Sequence, residues 1–475
     1  MSVTTPIVDF VRRYQQSGTS RLHMPGHKGQ SFLGCEGADI TEIAGADELY
    51  HAQGIIAESE ANAARLFGTA RTFYSTEGSS QCIRAMLFLA LQAAPRTEKR
   101  PVLLAARNAH KALLYAAALL DIDIEWLWPA SGAAGDLCAC PVAQEQLLEA
   151  LTRLDGQGRK PFGVYVTSPD YLGGLQDIAA LSAVCRAAGT PLLVDNAHGA
   201  YLSFLPGGRH PIAQGAAMCC DSAHKTLPVL TGGAYLHLGP EAPTLDEEAV
   251  RSALALFGST SPSYLILQSL DRCNRTLSEG YPLLVVRTCA ALALLRHELN
   301  DAAAAKGCPV PLVLDGPDRE PLKLTLDAAA LGQSGPELAS ALRAAGIECE
   351  YADPRYVVLM LTPENPPRDL ERLHAALDGL LRTLDAPPAP FGQEDVLTSL
   401  AAEVQRYGTI RQAVFSPQER VSVDAALGRV CALPTVSCPP AIPVVVSGEV
   451  IGPTAVALMK RYGVEEIAVR RDLTK

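Results

Sequence analysis

The chain has 475 residues, 48% of them hydrophobic and 19% charged, enough apolar material for two or three packed domains. Its formal net charge of −11 argues against a nucleic-acid binder, which would need a basic face to neutralise phosphates, so no nucleic-acid partner is expected. No run of about eighteen apolar residues occurs, and the N-terminus lacks a basic segment followed by an apolar one. With an odd count of thirteen cysteines, this predicts reduced thiols, a cytoplasmic location and no membrane partner.

Residues 1–50 are rich in Gly, Pro and His and read as an arm with one short helix near Ile7–Gln16. Ile55, Ile56, Ser59, Ala63 and Leu66 then fall on one helical face, with Gly68 as its C-cap, and a second helix covers Ser79–Leu91. Short apolar runs follow at 102–106, 163–167, 191–195 and 233–238, alternating with helical stretches at 112–120, 142–154 and 177–188. That alternation predicts an α/β large domain over 51–300, built on a mostly parallel sheet with its chemistry at the carboxyl ends of the strands. One long helical region, 264 to about 300, leads into a small α+β domain over 301–385. Its strands are expected at 311–314, 322–326 and 356–361, and its helices at 335–345 and 368–384. The Pro-rich stretch at 386–390 marks a linker, and a C-terminal domain occupies 386–475.

Two groups carry the strongest chemical signal. An apolar run ends in Asp195, within Asp195-Asn196-Ala197-His198-Gly199, and thirty residues on comes Ser222-Ala223-His224-Lys225 after a second apolar run. Pyridoxal 5'-phosphate needs both side chains: a lysine to capture its aldehyde as an imine, and a carboxylate to keep its ring nitrogen protonated. Either residue alone is more simply a strand-end cap or a solvated lysine; the pair in this order is not. Gly78-Ser79-Ser80 precedes an apolar helix and offers backbone N–H groups and hydroxyls to a phosphate, although a plain serine N-cap would read the same way. Ser222 is a second candidate phosphate contact. No metal site is expected. Cys138/Cys140 and Cys219/Cys220 lack zinc-ribbon or CxxC spacing, and Pro25 and Gly26 prevent the helix that would align His23 with His27. His198 reads as a local hydrogen-bonding residue, and no partners are evident for His51, His210, His237, His297 or His374.

With these motifs in order, the chain resembles the Orn/Lys/Arg decarboxylase family of fold-type I pyridoxal-phosphate enzymes, in its shorter bacterial form. The matching residues run from Leu22-His23-Met24-Pro25-Gly26-His27-Lys28-Gly29 through Arg107-Asn108-Ala109-His110-Lys111 to the Asp195 and Lys225 motifs. They continue with Ser259-Thr260-Ser261-Pro262-Ser263-Tyr264 and a C-terminal Pro-Pro-x-x-Pro with Gly448-Glu449. The resemblance implies that Lys225 holds the cofactor as a Schiff base, that Asp195 partners the ring nitrogen, and that His110 stacks on the ring. It places Gly78, Ser79, Ser80, Ser222 and His224 on or beside the phosphate side, and Ala197 under the ring with His198 close by. Lys225 or His224 returns the proton, and Thr260 or Ser261 reaches the cofactor of a neighbouring subunit, making the enzyme a homodimer or larger. The implied reaction is decarboxylation of a basic amino acid in polyamine metabolism, arginine favoured over lysine and ornithine. Glu77, Ala112, Asp170 and Ala441 depart from the family pattern and leave the substrate open. An aminotransferase, clamping its substrate with Arg343, Arg355 or Arg368, is the rival enzyme, and a non-catalytic regulatory relative is the rival of another class. For those three arginines, solvated helix or loop charges are the simpler reading.

Overall fold

The computed structural model describes residues 3–129, 137–389, 396–433 and 443–471. In chain order the first elements are α1 (Pro6–Gln16), α2 (Ile55–Phe67), β1 (Arg71–Ser75), α3 (Ser79–Ala93), β2 (Val102–Ala106), α4 (Lys111–Leu120), β3 (Asp123–Leu127) and α5 (Gln144–Gly156). Next come β4 (Val164–Thr167), α6 (Ile178–Ala187), β5 (Leu192–Asp195), β6 (Met218–Asp221), α7 (Ala223–Thr226), β7 (Ala234–Leu238), α8 (Glu247–Leu256), α9 (Tyr264–Ser278) and α10 (Tyr281–Ala305). The remainder are β8 (Lys323–Asp327), α11 (Gly335–Ala344), β9 (Tyr351–Ala352), β10 (Tyr356–Met360), α12 (Pro367–Arg382), α13 (Val396–Glu403), α14 (Ile410–Val414), β11 (Gln418–Ser422), α15 (Pro453–Arg461) and β12 (Glu466–Arg470). The large sheet has the order β1-β7-β6-β5-β4-β2-β3.

By contacts the chain divides into two compact units. The first holds Met1–Leu103, Leu151–Ser168 and Asp177–Val285; the second holds Leu104–Ala150, Pro169–Gln176 and Val286–Lys475.

In the first unit β5 pairs in parallel with β4 and β6, while β7 runs against both β6 and β1. Strands β4 to β7 are buried along their whole length, which is why they read as unbroken apolar runs. Helix α3 lies across β5, β6 and β7. It buries Ile83, Met86 and Leu87 completely, each contributing about 1.5–3 kcal/mol. Gly68 caps α2 in the left-handed conformation as expected. Strand β1 is missing from the sequence reading because Arg71 and Thr72 break its apolar pattern; its pairing with β7 and the bond from the Tyr74 amide to Glu60 fix it instead. The single long helix expected from 264 is two, α9 and α10, bent by 78° at a break beside Gly280, whose φ is +108°. Among the described residues no single helix is long and apolar enough to cross a membrane.

The arm is tied down by one carboxylate. The first amides of α1, at Ile7 and Val8, donate to Asp271 Oδ2 of α9 at 3.0 and 2.9 Å, and Ser59 Oγ donates to Oδ1 at 2.6 Å. These are donors that a helix start leaves without intrahelical acceptors. Burial nevertheless dominates and pushes the Asp271 carboxyl up to about 6, against the lowering effect of Ser59 and the two amides. The folded state therefore holds this proton more tightly than the unfolded chain, so stability falls as pH rises from about 4 to about 6. Asp271→Asn should remove this residue's share of that slope, on the order of 3 kcal/mol across the window. Thermal melts of both proteins between pH 4 and 7 check this, and parallel curves would refute it.

In the second unit, β10 pairs antiparallel with β8 and β9, and Ser334 and Glu337 form a capping box at the start of α11. The strand expected at 311–314 is absent apart from an isolated bridge between Val313 and Leu326. Pro311 lacks a ladder donor, and the Asn300 side chain takes the Val313 N–H at 2.8 Å and donates to its carbonyl at 2.9 Å. β11 and β12 pair antiparallel in the C-terminal part. There, Glu449 receives Arg107 Nη1 and Nη2 at 2.7 and 2.8 Å, while the guanidinium lies over the Trp126 and Trp128 rings at 4.8 and 4.7 Å. Arg107 is fully buried and Glu449 nearly so. Two motifs far apart in the sequence thus share one ion pair. Most of the Pro-Pro-x-x-Pro segment, Ala441 included, lies outside the described residues.

Candidate active site

The site grows from the carboxyl ends of two adjacent parallel strands. Asp195 closes β5 and Asp221 closes β6, and the chain leaves β6 directly into α7, which carries His224 and Lys225. Lys225 Nζ lies 3.1 Å from His198 Nε2, three residues beyond Asp195, so both predicted motifs meet at one end of the sheet. The Lys225 side chain is half-buried rather than solvated.

Asp195 is 2% exposed. Its Oδ2 accepts from Tyr165 Oη at 3.0 Å and its Oδ1 from the Ala197 amide at 3.2 Å, with the Cys220 thiol 3.7 Å away. Burial, then the neighbouring Asp195 charge, pushes the Tyr165 hydroxyl well above its ordinary range, so Tyr165 is a neutral donor. None of these three donors is a cation. Among the described residues this buried carboxylate has hydrogen bonds but no cation beside it, a costly arrangement that suits a positively charged ligand group.

Gly78 has φ +72° and serves as the N-cap of α3, so the plain serine-cap alternative does not hold: Ser79 is already the first helical residue. The Gly78 amide donates to the Gly232 carbonyl at 2.7 Å, and a Cβ on Gly232 would lie 2.8 Å from the Thr76 carbonyl oxygen. That close approach keeps the loop beside α7. Ser222 Oγ donates to Ser79 Oγ at 2.8 Å, uniting the two candidate phosphate serines, while Ser80 follows in the same first turn. As the first residues of α3, Ser79 and Ser80 present amides that have no intrahelical acceptor. Glu77, which might have repelled an anion, instead accepts the Ser259 amide.

His224 Nδ1 lies 3.0 Å from the Gly233 carbonyl, which can only accept, so the proton sits on Nδ1 and leaves the Nε2 lone pair available. Burial lowers its pKa, and the Lys225 charge adds to this against the Gly233 bond, so His224 is neutral near pH 7. Thr260 is exposed in the loop before α9. His110 belongs to the second unit, where it caps α4 by accepting the Ala112 amide at 3.2 Å.

Two expectations need correction. Arg355 is not a solvated charge, because it pairs with the buried Asp327 at 2.6 Å; Arg343 and Arg368 are exposed, beside Glu348 and Asp369. Asp170, one of the departures, is buried, accepts the Gly174 amide at 2.7 Å and is pushed up to about 6 by burial. The histidines assigned no partner do have them: His51 with Glu48, His297 with Asp301, His374 with Glu298, and both His210 and His237 with Asp221. Sequence reasoning also missed Tyr165. The only available signal is the period-two spacing that puts Tyr165 and Thr167 on one face of β4, and the register opposite Asp195 is needed to use it.

With a strand-end carboxylate, a lysine after the next strand and a helix start carrying serines at one end of its sheet, the chain has the fold of the fold-type I pyridoxal-phosphate enzymes. The solved structures agree. Constitutive lysine decarboxylase of Escherichia coli superposes with a TM-score of 0.77 at 18% identity, over 99% of this chain and 82% of that one. Lysine decarboxylase A of Pseudomonas aeruginosa gives 0.77 at 18% over 96% and 75%. At these identities the likeness establishes the fold. In sequence, the model of the Orn/Lys/Arg decarboxylase major domain matches residues 5–306, and that of the C-terminal domain matches 393–463. The uncharacterized protein YaaO of Bacillus subtilis is 29% identical over 97% of this chain and 94% of its own length. An arginine decarboxylase of the same organism is 26% identical over 94% and 91%. The chain belongs to the Orn/Lys/Arg decarboxylase family, and membership makes it a basic amino-acid decarboxylase of a family that works through pyridoxal phosphate.

Proposed function

We propose that this enzyme decarboxylates arginine to agmatine and carbon dioxide, with pyridoxal phosphate held by Lys225. The observation that carries the cofactor assignment is the buried, cation-free carboxylate of Asp195 beside the strand end that leads to Lys225. Arginine is favoured because relatives named arginine decarboxylase align over nearly the whole chain, whereas the lysine decarboxylase of Escherichia coli aligns over 57% of it.

When bound, pyridoxal phosphate supplies an aromatic ring that takes up the electrons left behind as the carboxyl group departs. In this reading Asp195, oriented by the Tyr165 hydroxyl and the Ala197 amide, would keep the ring nitrogen protonated. Gly78, Ser79, Ser80 and Ser222 would hold the phosphate, and Lys225 would hold the aldehyde carbon, with His198 steadying its amine. His110 and Ala197 would be the residues that cover the ring. Lys225 Nζ or His224 Nε2 carries the proton returned to the α-carbon. Thr260 serves the cofactor of a second copy, so the working unit is a homodimer or larger; exposed Leu22, Met24, Phe32 and Leu33 on the arm favour such pairing. A cytoplasmic location is consistent with the twelve described cysteines, none of which forms a disulfide.

The test is side-by-side turnover of arginine, lysine and ornithine with detection of carbon dioxide and amine. Arginine should exceed the others in kcat/KM by about tenfold or more. Equal or greater turnover of lysine would reject the substrate assignment, and amine exchange that depends on a keto acid would reject the reaction.

A further inference from the structure

Behind the cofactor face lies a second polar cluster that the reaction does not use. Cys219 and Asp221 sit two apart on β6 and therefore share a face, and Cys219 is paired in register with His237 on β7. His210 enters from the loop before β6. All four residues are completely or almost completely buried. His210 Nε2 is 3.0 Å and His237 Nε2 3.3 Å from Asp221 Oδ2, and Cys219 Sγ is 3.8 Å from Asp221 Oδ1 and 3.9 Å from His210 Nε2. Metal–nitrogen and metal–oxygen bonds of about 2.0–2.1 Å and a metal–sulfur bond of about 2.3 Å in a tetrahedron put neighbouring donors roughly 3.3–3.6 Å apart. The separations among His210, Asp221 and Cys219, whose donor atoms all lie within 4.8 Å of one another, bracket that range, and His237 joins them through Asp221 at 3.3 Å.

Two further observations point the same way. His237 Nε2 is buried 3.3 Å from Asp221 Oδ2 without the alignment of a hydrogen bond, although its ring is fixed by Thr72 Oγ1 at 2.8 Å from Nδ1. An outer hydrogen bond of this kind sets the tautomer and aim of a metal-binding imidazole. Among the described residues the Asp221 charge also has no lysine or arginine beside it; its contacts there are Asn196, the two histidines and the Cys219 thiol. A divalent ion bound by one carboxylate, one thiolate and two neutral imidazoles makes the cluster neutral, which a buried site requires. The Ile212 amide approaches His210 Nδ1 at 3.4 Å, the outer limit of a hydrogen bond. A small ring rotation frees Nδ1 to carry the proton that binding at Nε2 requires.

We propose that His210, His237, Asp221 and Cys219 form a closed structural site for one divalent transition-metal ion, zinc by the chemistry of its donors, which clamps β6, β7 and the loop before β6 behind the strand end that carries Lys225. Binding releases the Cys219 thiol proton to solvent and involves no change of oxidation state. The site lies outside the cofactor contacts, so its metal content is measured independently of decarboxylation.

The full-length protein, grown with zinc and washed with a chelator in the native state, should retain about one zinc per chain by elemental analysis. Cys219→Ala should reduce this at least about tenfold while cofactor uptake persists. Because His210→Ala removes a fully buried side chain and tests folding as well as binding, protein grown with cobalt provides a second readout on the unaltered chain. Ligand-field bands on the long-wavelength side of the cofactor absorption, with thiolate-to-cobalt charge transfer, are expected. Folded protein that holds less than about a tenth of a metal ion per chain, even after refolding with zinc, overturns the proposal and leaves a hydrogen-bonded histidine–aspartate cluster. Metal retained in full by Cys219→Ala also overturns it.

Discussion

Lys225→Ala is expected to lower arginine turnover by at least about a thousandfold and to remove the visible absorption of covalently held cofactor. The lysine stands on the four-residue α7, with its amine 3.1 Å from His198 Nε2, and its side chain is only half-buried. Its loss should therefore leave the melting temperature of the cofactor-free protein nearly unchanged, which separates a chemical role from a structural one. Absorbance spectra, a carbon dioxide release assay and a thermal melt together decide the matter. A variant that keeps both the absorption band and more than about a tenth of the activity would remove Lys225 from the mechanism.

The second large effect is expected at Asp195, where function and stability should move in opposite directions. Asp195→Asn keeps the shape and one oxygen able to accept from Tyr165 or the Ala197 amide, but removes the charge. Turnover should fall about a hundredfold or more, because the electrostatic partner of the ring nitrogen is gone. The cofactor-free variant should be at least as stable as the parent, by up to about 1–3 kcal/mol, since a buried carboxylate without a counter-ion costs stability. Denaturant melts with and without pyridoxal phosphate measure both terms. A cofactor-free Asp195→Asn protein markedly less stable than the parent would mean that the carboxylate serves the fold rather than a ligand.

Local sequence carried a good deal of this. Asp195 and Lys225 were visible because each follows a run of apolar residues, and a fully buried parallel strand must look like that whatever it pairs with. Gly68 was visible because a left-handed cap favours glycine. What stayed hidden depends on register and on side chains meeting across the chain. Tyr165 reaches Asp195 only because β4 and β5 align Thr167 with Asp195. Val313 looked like a strand residue until Asn300, thirteen positions away, took both of its backbone groups. The Asp221 cluster draws on the loop before β6 and on β7, so no short window contains it. Arg107 and Glu449 were each recognisable as motif members, yet nothing between them signals that they bond to each other.

That bond bears on how the gene can be recombined. Glu449 lies in the segment matched as a distinct C-terminal domain, but its counter-ion comes from a stretch matched as the major domain. Such a segment is not a transferable cassette. Grafted onto a host that lacks the Arg107–tryptophan seat, it would bury an acid with nothing to neutralise it, a penalty of about 3–5 kcal/mol that few chimeras could absorb.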